Sequence, residues 1–144
     1  SGEADWKAIK KIVENVSIPI VANGDVDSGP KAERLLLETG ASFGMVGRAA
    51  MRNPFIFREI NEWFESRGTW NAAPREKIGA FFDYYAYCER FEMVKLADLK
   101  AKAVQFTKGI EFAKTTRVKL LEAKSFDEIR GALLEFENAL AETA

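Results

Sequence analysis

Histidine is absent from the 144 residues of this chain, and cysteine occurs once, as Cys88. Zinc sites built from His and Cys, Ser-His-Asp triads and Cys-His pairs are therefore excluded as products of this chain alone. A general acid must be a carboxyl, a lysine, a tyrosine or Cys88, or must lie outside it. One cysteine also excludes an internal disulfide, which fits a reducing, cytoplasmic setting. No metal site is expected. No apolar run nears the roughly 20 residues that a membrane span requires, so no membrane partner is expected. The opening "SGEADW" lacks the basic and apolar regions of a secretory signal, and no such signal is expected.

A large net charge is missing as well, but the formal value of −1 hides an uneven distribution. Residues 95–124 carry eight basic and three acidic side chains, whereas 125–144 carry Arg130 against five acids. A basic segment beside an acidic one is either a partner surface or an internally compensated pair of helices. What is present in quantity is apolar: 47% of the chain, with 30% charged, the balance of a globular protein.

Up to Asn53-Pro54 the pattern alternates helix and strand. "DWKAIKKIVENV" spaces Trp6, Ile9, Ile12 or Val13, and Val16 as one helical face. "IPIVA" (18–22) is a short apolar run between turn residues, read as a strand buried on both faces. Ser28 is placed to cap the next helix, with Pro30 in its first turn and Gly40 as its stop. "SFGMVG" (42–47) supplies a second strand. Strand, crossover helix and strand within about 30 residues make a βαβ unit on a parallel sheet.

Beyond Pro54 only helices are expected. "PFIFREINEWFESRG" reads as a helix stopped by Gly68, followed by the linker "TWNAAP". Four more helices follow, with Ile78, Phe81, Phe82, Tyr85 and Cys88 or Glu89 facing inward on the first. Leu96, Leu99, Ala103 and Phe106 do so on the second, and Phe112, Thr116 and Leu120 on the third. The last opens at Ser125-x-x-Glu128 and buries Ile129, Leu133, Phe136 and Leu140. Short turns between them predict a small antiparallel four-helix bundle. Two parallel strands with one crossover cannot cover both faces of a sheet. The chain is therefore expected to be the C-terminal piece of a larger α/β protein, or to be completed by a partner. The open edge would pair with the rest of that sheet or with a second copy of the chain, giving a homodimer.

Asn23-Gly24-Asp25 follows the first strand, and Gly47-Arg48 follows the second one βα unit later. Each is by itself an ordinary turn sequence. As a pair, at the strand ends where parallel α/β proteins bind ligands, they also form the makings of a phosphate cradle. Glycine lets a backbone N–H approach closely, and Arg48 offers a forked cationic donor. The Asp25 carboxylate would repel a phosphate, which suits it better to holding the turn or positioning Arg48.

The stretches "IPIVANGDV" and "GASFGMVGRAAMRNPFIFREI" resemble the end of the barrel in the tRNA-dihydrouridine synthases. Asn23-Gly24-Asp25, Thr39-Gly40, Met45, Gly47-Arg48, Asn53-Pro54 and Phe57 carry the resemblance. Related flavin barrels such as dihydroorotate dehydrogenase share the glycine scheme, but the run "GRAAMRNPFIF" is more specific. The tail "LKAKAVQFTKGIEFAKTTRVKLLEAKSFDEI" is similar to that family's C-terminal helical domain. The resemblance covers residues 4–142, most closely 18–57.

The resemblance implies a flavoprotein oxidoreductase of tRNA processing. Such enzymes reduce uridines in tRNA to 5,6-dihydrouridine with FMN, which NADPH or NADH has reduced. It implies the C-terminal part of an FMN-binding TIM (β/α)8 barrel over 1–57, a connecting helix and linker over 58–73, and a helical tRNA-binding domain over 74–144. Asn23, Gly24, Asp25, Gly47 and Arg48 would hold the FMN phosphate. The family's catalytic cysteine lies in an earlier barrel loop, so no catalytic residue is expected here, and the chain alone is expected to be inactive and colourless. Cys88 is read as a half-buried helix cysteine. Lys100, Lys102, Lys108, Lys114, Arg117 and Lys119 are the candidate RNA contacts, Arg117 above all because it matches a family arginine. The tyrosines at 84–87 and Phe91 are read as core more than as base-stacking residues. Two other readings stay open: a non-catalytic RNA-binding helical module, and another FMN-dependent barrel oxidoreductase acting on a small molecule.

Overall fold

Asp5 starts the first helix: its carboxylate accepts the N–H groups of Lys7 and Ala8 at 3.0 and 3.1 Å. In the computed structural model, which describes residues 4–142, the elements of the first half are α1 (Trp6–Asn15), β1 (Val21–Asn23), α2 (Gly29–Thr39), β2 (Phe43–Met45), α3 (Arg48–Arg52) and α4 (Ile56–Ser66). The second half contains α5 (Pro74–Arg90), α6 (Leu96–Phe106), α7 (Ala113–Glu122) and α8 (Phe126–Glu142). Packing divides the chain between Asn71 and Ala72 into two units, each with its own core.

In the first unit β1 and β2 pair in parallel, with Val21 opposite Phe43, Ala22 opposite Gly44 and Asn23 opposite Met45. Alternation along the strands then sorts the faces. Ala22 is buried toward α2, whose Leu35 reaches to within 3.6 Å of the position a Gly44 Cβ would take. Val21, Phe43 and Met45 fall on the other face and are more than half exposed. The strand expected at 18–22 is thus shorter, begins later and is covered on one face only among the described residues. Ile18 lies outside it and is exposed.

Helix α2 begins after Ser28 with Pro30 in its first turn, as expected, but Ser28 caps with its backbone. Its hydroxyl donates to Asp27 at 3.3 Å instead of accepting a helix N–H. Helix α4 ends at Ser66, and its stop is Arg67 in place of the expected Gly68. Arg67 takes the left-handed conformation (φ 60°), tied to Glu33 at 2.6 Å and lying over the Trp63 ring. Because α4 packs on α2 and buries Ile56 and Ile60 in the first core, it belongs to that unit and is more than a connection.

The approach of α2 to α4 is close enough to require a glycine. A Cβ on Gly29 would lie 2.2 Å from Trp63 Cβ, an atom fixed to the α4 backbone. Helix propensity favours alanine over glycine by up to about 1 kcal/mol, but overpacking costs about 1–3 kcal/mol. Gly29→Ala should therefore destabilise the first unit in urea unfolding followed by tryptophan fluorescence; an unchanged or higher midpoint would contradict this packing.

In the second unit α5 to α8 pack in sequence, and α8 also meets α5 and α6. Ile78, Phe81, Leu99, Ala103, Leu120, Ile129 and Leu133 form the centre of its core. Ser125 Oγ accepts the Glu128 N–H at 3.2 Å, while the Glu128 carboxylate reaches back to the Lys124 N–H at 2.8 Å. Phe112 does not join this core. It precedes α7 in the left-handed region (φ 60°), off the helical period, and is 81% exposed, while Ile110 is buried in the core. Tyr84 and Tyr85 pack against the core, the latter stacked on Phe126 at 3.4 Å, whereas Tyr87 and Phe91 are exposed. The core reading thus fits the first two and fails for the others, which lie on the outer side of the α5 C-terminus. Among the described residues no helix is long and apolar enough to cross a membrane.

Candidate functional site

Parallel strands aim their C-terminal ends at one place, and there the first unit has an open cleft of about 820 Å³. Asn23, Gly24 and Asp25 line it from the end of β1, and Gly47 and Arg48 from the turn after β2. All five residues expected to hold a phosphate therefore share one cavity. The sequence reading missed three charged neighbours on the same walls: Asp27, Lys31 and Arg52. Lys31 lies in the first turn of α2, and Arg52 stands one helical turn after Arg48 on the short helix α3. Periodicity from Arg48 would have found Arg52.

Three cations against two carboxylates leave the cleft with one net positive charge, and both carboxylates are engaged. Asp27 pairs with Lys31 at 2.9 Å. Asp25 sits at φ 54°, accepts the Ala4 N–H at 3.0 Å and binds the Arg48 guanidinium with its other oxygen. Asp25 is thus a brace between the chain before α1 and the arginine after β2. Asn53 closes the rim: its side chain accepts the Phe55 N–H and donates to Glu59, holding the turn that leads into α4. A phosphate group fits this set of donors, with Arg48, Lys31 and Arg52 supplying charge and Gly47 leaving space where a side chain would meet nothing within 4 Å.

The Ala4 N–H foremost, with Arg48 adding its charge, holds the Asp25 carboxyl below its ordinary value of 3.8. A lowered carboxyl value means that the brace is fully formed above pH 3.8 and is released only as pH falls through the lowered value. In a pH titration the Ala4 amide resonance should stay in place down to 3.8 and move below it; a midpoint above 3.8 would contradict the brace.

The six basic residues named as RNA contacts all lie in the second unit, but they form no single stripe. Lys100 and Lys102 are on α6, and Lys102 lies 5.6 Å from the Tyr84 ring. Lys108 is exposed on the turn after α6, and Lys114 is exposed on α7. Arg117 donates to the Thr107 carbonyl at 3.2 Å and so ties α7 to the end of α6. Lys119 pairs with Glu135 of α8 at 2.6 Å. The charge compensation between the basic and acidic segments is therefore realised at least there. Cys88 is half-buried on α5, where its contact with Tyr84 pushes the tyrosine hydroxyl up to about 12.

A βαβ unit with a cleft of net positive charge at its strand ends, followed by a helical unit, makes the chain an α/β protein with a further helical part. The model of the dihydrouridine synthase family matches residues 1–142, and the chain belongs to that family. A tRNA-dihydrouridine synthase B of Vibrio parahaemolyticus is 43% identical over 79 residues, 55% of this chain and 24% of the relative. The Pseudomonas aeruginosa protein of that description is 41% identical over 78 residues, 54% of this chain and 24% of the relative. For the Shewanella oneidensis protein the figures are 51% over 65 residues, 45% and 20%. The match thus spans about a quarter or less of these relatives' length.

Proposed function

We propose that this chain is the C-terminal part of a flavin-dependent tRNA-dihydrouridine synthase, which reduces particular uridines in tRNA to 5,6-dihydrouridine. Residues 1–57 would be the last strands of its TIM barrel and 74–144 its tRNA-binding domain. The cleft at the ends of β1 and β2 carries this reading, because it gathers Asn23, Gly24, Asp25, Gly47 and Arg48, the residues that match the family's FMN-phosphate positions. Arg48 and Lys31 would hold the phosphate, with Gly47 giving it room and Asp25 keeping Arg48 in place. FMN, when bound and reduced by NADPH or NADH, would supply the hydride chemistry, and the residues of this cleft would hold its phosphate group. The uncovered Val21, Phe43 and Met45 face supports completion of the sheet by the rest of a barrel. The family's catalytic cysteine would come from an earlier barrel loop, so this chain alone would be inactive; Cys88 packs on Tyr84 in the helical unit.

The helical unit would grip tRNA through phosphate contacts, and the exposed Lys108 and Lys114 are better placed for this than Arg117 and Lys119, which already hold other groups. The test is binding of the chain to unmodified tRNA across a salt series. Affinity should fall steeply with salt, and Lys108→Glu and Lys114→Glu should each flatten the log–log slope by about one. Binding without salt dependence, or variants that match the wild type, would contradict the RNA reading and favour a barrel acting on a small molecule.

A further inference from the structure

The turn at 23–25 is held from outside the cleft by a residue with no part in the reading above. Trp6 opens α1, and its indole Nε1–H donates to the Gly24 carbonyl at 3.2 Å. A Cβ on Gly24 would sit 2.5 Å from that same nitrogen, so glycine at this place makes room for the indole as well as for any ligand. On the far side Arg34 of α2 lies over the indole ring at 5.4 Å and keeps it in place.

The consequence lies in the next peptide group. A trans peptide points its N–H opposite its C=O. With the Gly24 carbonyl turned to Trp6, the Asp25 N–H is directed away from the indole, and Asp25 lines the cleft. The reverse orientation would aim a carbonyl oxygen at an incoming anion and repel it. Asp25 also sits at φ 54°, where residues other than glycine are uncommon, so the turn needs outside support. Three contacts supply it: the indole bond to Gly24, the Ala4 N–H bond to Asp25 and the Arg48 guanidinium on the other Asp25 oxygen.

We infer that Trp6 is a positioning residue of the cleft: it locks the Gly24–Asp25 peptide so that an N–H, and not a C=O, is offered to a phosphate group. This rests on the reading of the cleft as a phosphate site. The side chain acts through the backbone, without touching the anion.

The test is a titration of the whole chain with inorganic phosphate, followed by the backbone amide resonances of Gly24, Asp25, Gly47 and Arg48. Three proteins are compared: wild type, Trp6→Phe, and the chain with benzothienylalanine at position 6, which keeps the shape of tryptophan with sulfur in place of N–H. The wild type should respond at these amides, and both variants should need about tenfold more phosphate, with the benzothienyl protein melting as the wild type does. Equal midpoints in all three proteins would overturn the role of Trp6 and leave the phosphate site standing. Weakening that merely tracks loss of fold in both variants would also overturn it, reducing Trp6 to a core residue. No response in the wild type would overturn the phosphate site and this inference together.

Discussion

Phe81→Ala melts the helical unit at lower temperature and leaves the tryptophan signal of the first unit where it was. Phe81 is fully buried at the centre of the second core, with its ring edge-on to Phe82 and Phe106 at 5.6 and 6.3 Å. Truncating such a residue removes its transfer energy and leaves a cavity, together about 3–5 kcal/mol. In a unit of this size that should lower the melting temperature by more than about 10 °C. The chain contains its own reporters: Trp6, Trp63 and Trp70 all precede Ala72, and the cores of the two units share no residue. Far-ultraviolet circular dichroism should therefore show a displaced transition for α5 to α8, while fluorescence shows the transition of the first unit nearly unmoved. A single transition displaced equally in both signals would contradict two separate cores.

Arg48→Ala should weaken phosphate binding by about ten- to a hundredfold. A hydrogen bond to a charged group contributes about 1.5–3 kcal/mol, and each 1.4 kcal/mol is a factor of ten. The substitution also takes the cleft from one net positive charge to none and removes the guanidinium from Asp25, whose carboxylate, still bonded to the Ala4 N–H, would then face the anion without it. Stability should change little, because Arg48 is exposed. Phosphate titration followed by amide resonances, alongside a melting curve, separates the two effects. An unchanged midpoint for phosphate would place the anion elsewhere in the cleft, on Lys31 or Arg52.

Much of this arrangement is legible in the residues themselves, and the part that is not has a physical reason. Local chemistry marks the helix ends well: Pro30 and Gly40 bracket α2, Pro74 opens α5, and Ser125 caps α8. Core faces follow from spacing, as at Ile78 and Phe81 or Ile129 and Leu133. Spacing misleads where the backbone leaves the helical region, so Phe112 at φ 60° points out although it fits the period. It misleads again for the strands, where an apolar run suggests two buried faces but the described residues cover only one.

The same contrast holds for the site. Asn23 to Asp25, Gly47 and Arg48 are visible as a spaced pair of turns because each lies directly after a strand. Lys31 and Arg52 join them only once α2 and α3 are folded, and Trp6 acts through a carbonyl 18 positions later. Arg117 shows the limit in the other direction. Its family position suggests RNA, yet one of its donors is held by the backbone of Thr107, a bond that no side-chain pattern encodes.

The claim that the cleft is the flavin phosphate site is tested most directly by adding FMN and riboflavin separately to the chain and mapping the amides that respond. The two ligands differ only by the phosphate. FMN should move the resonances of residues 23–25 and 47–48, and riboflavin at equal concentration should leave them in place. Equal responses to both, or a response to FMN confined to other residues, would contradict it.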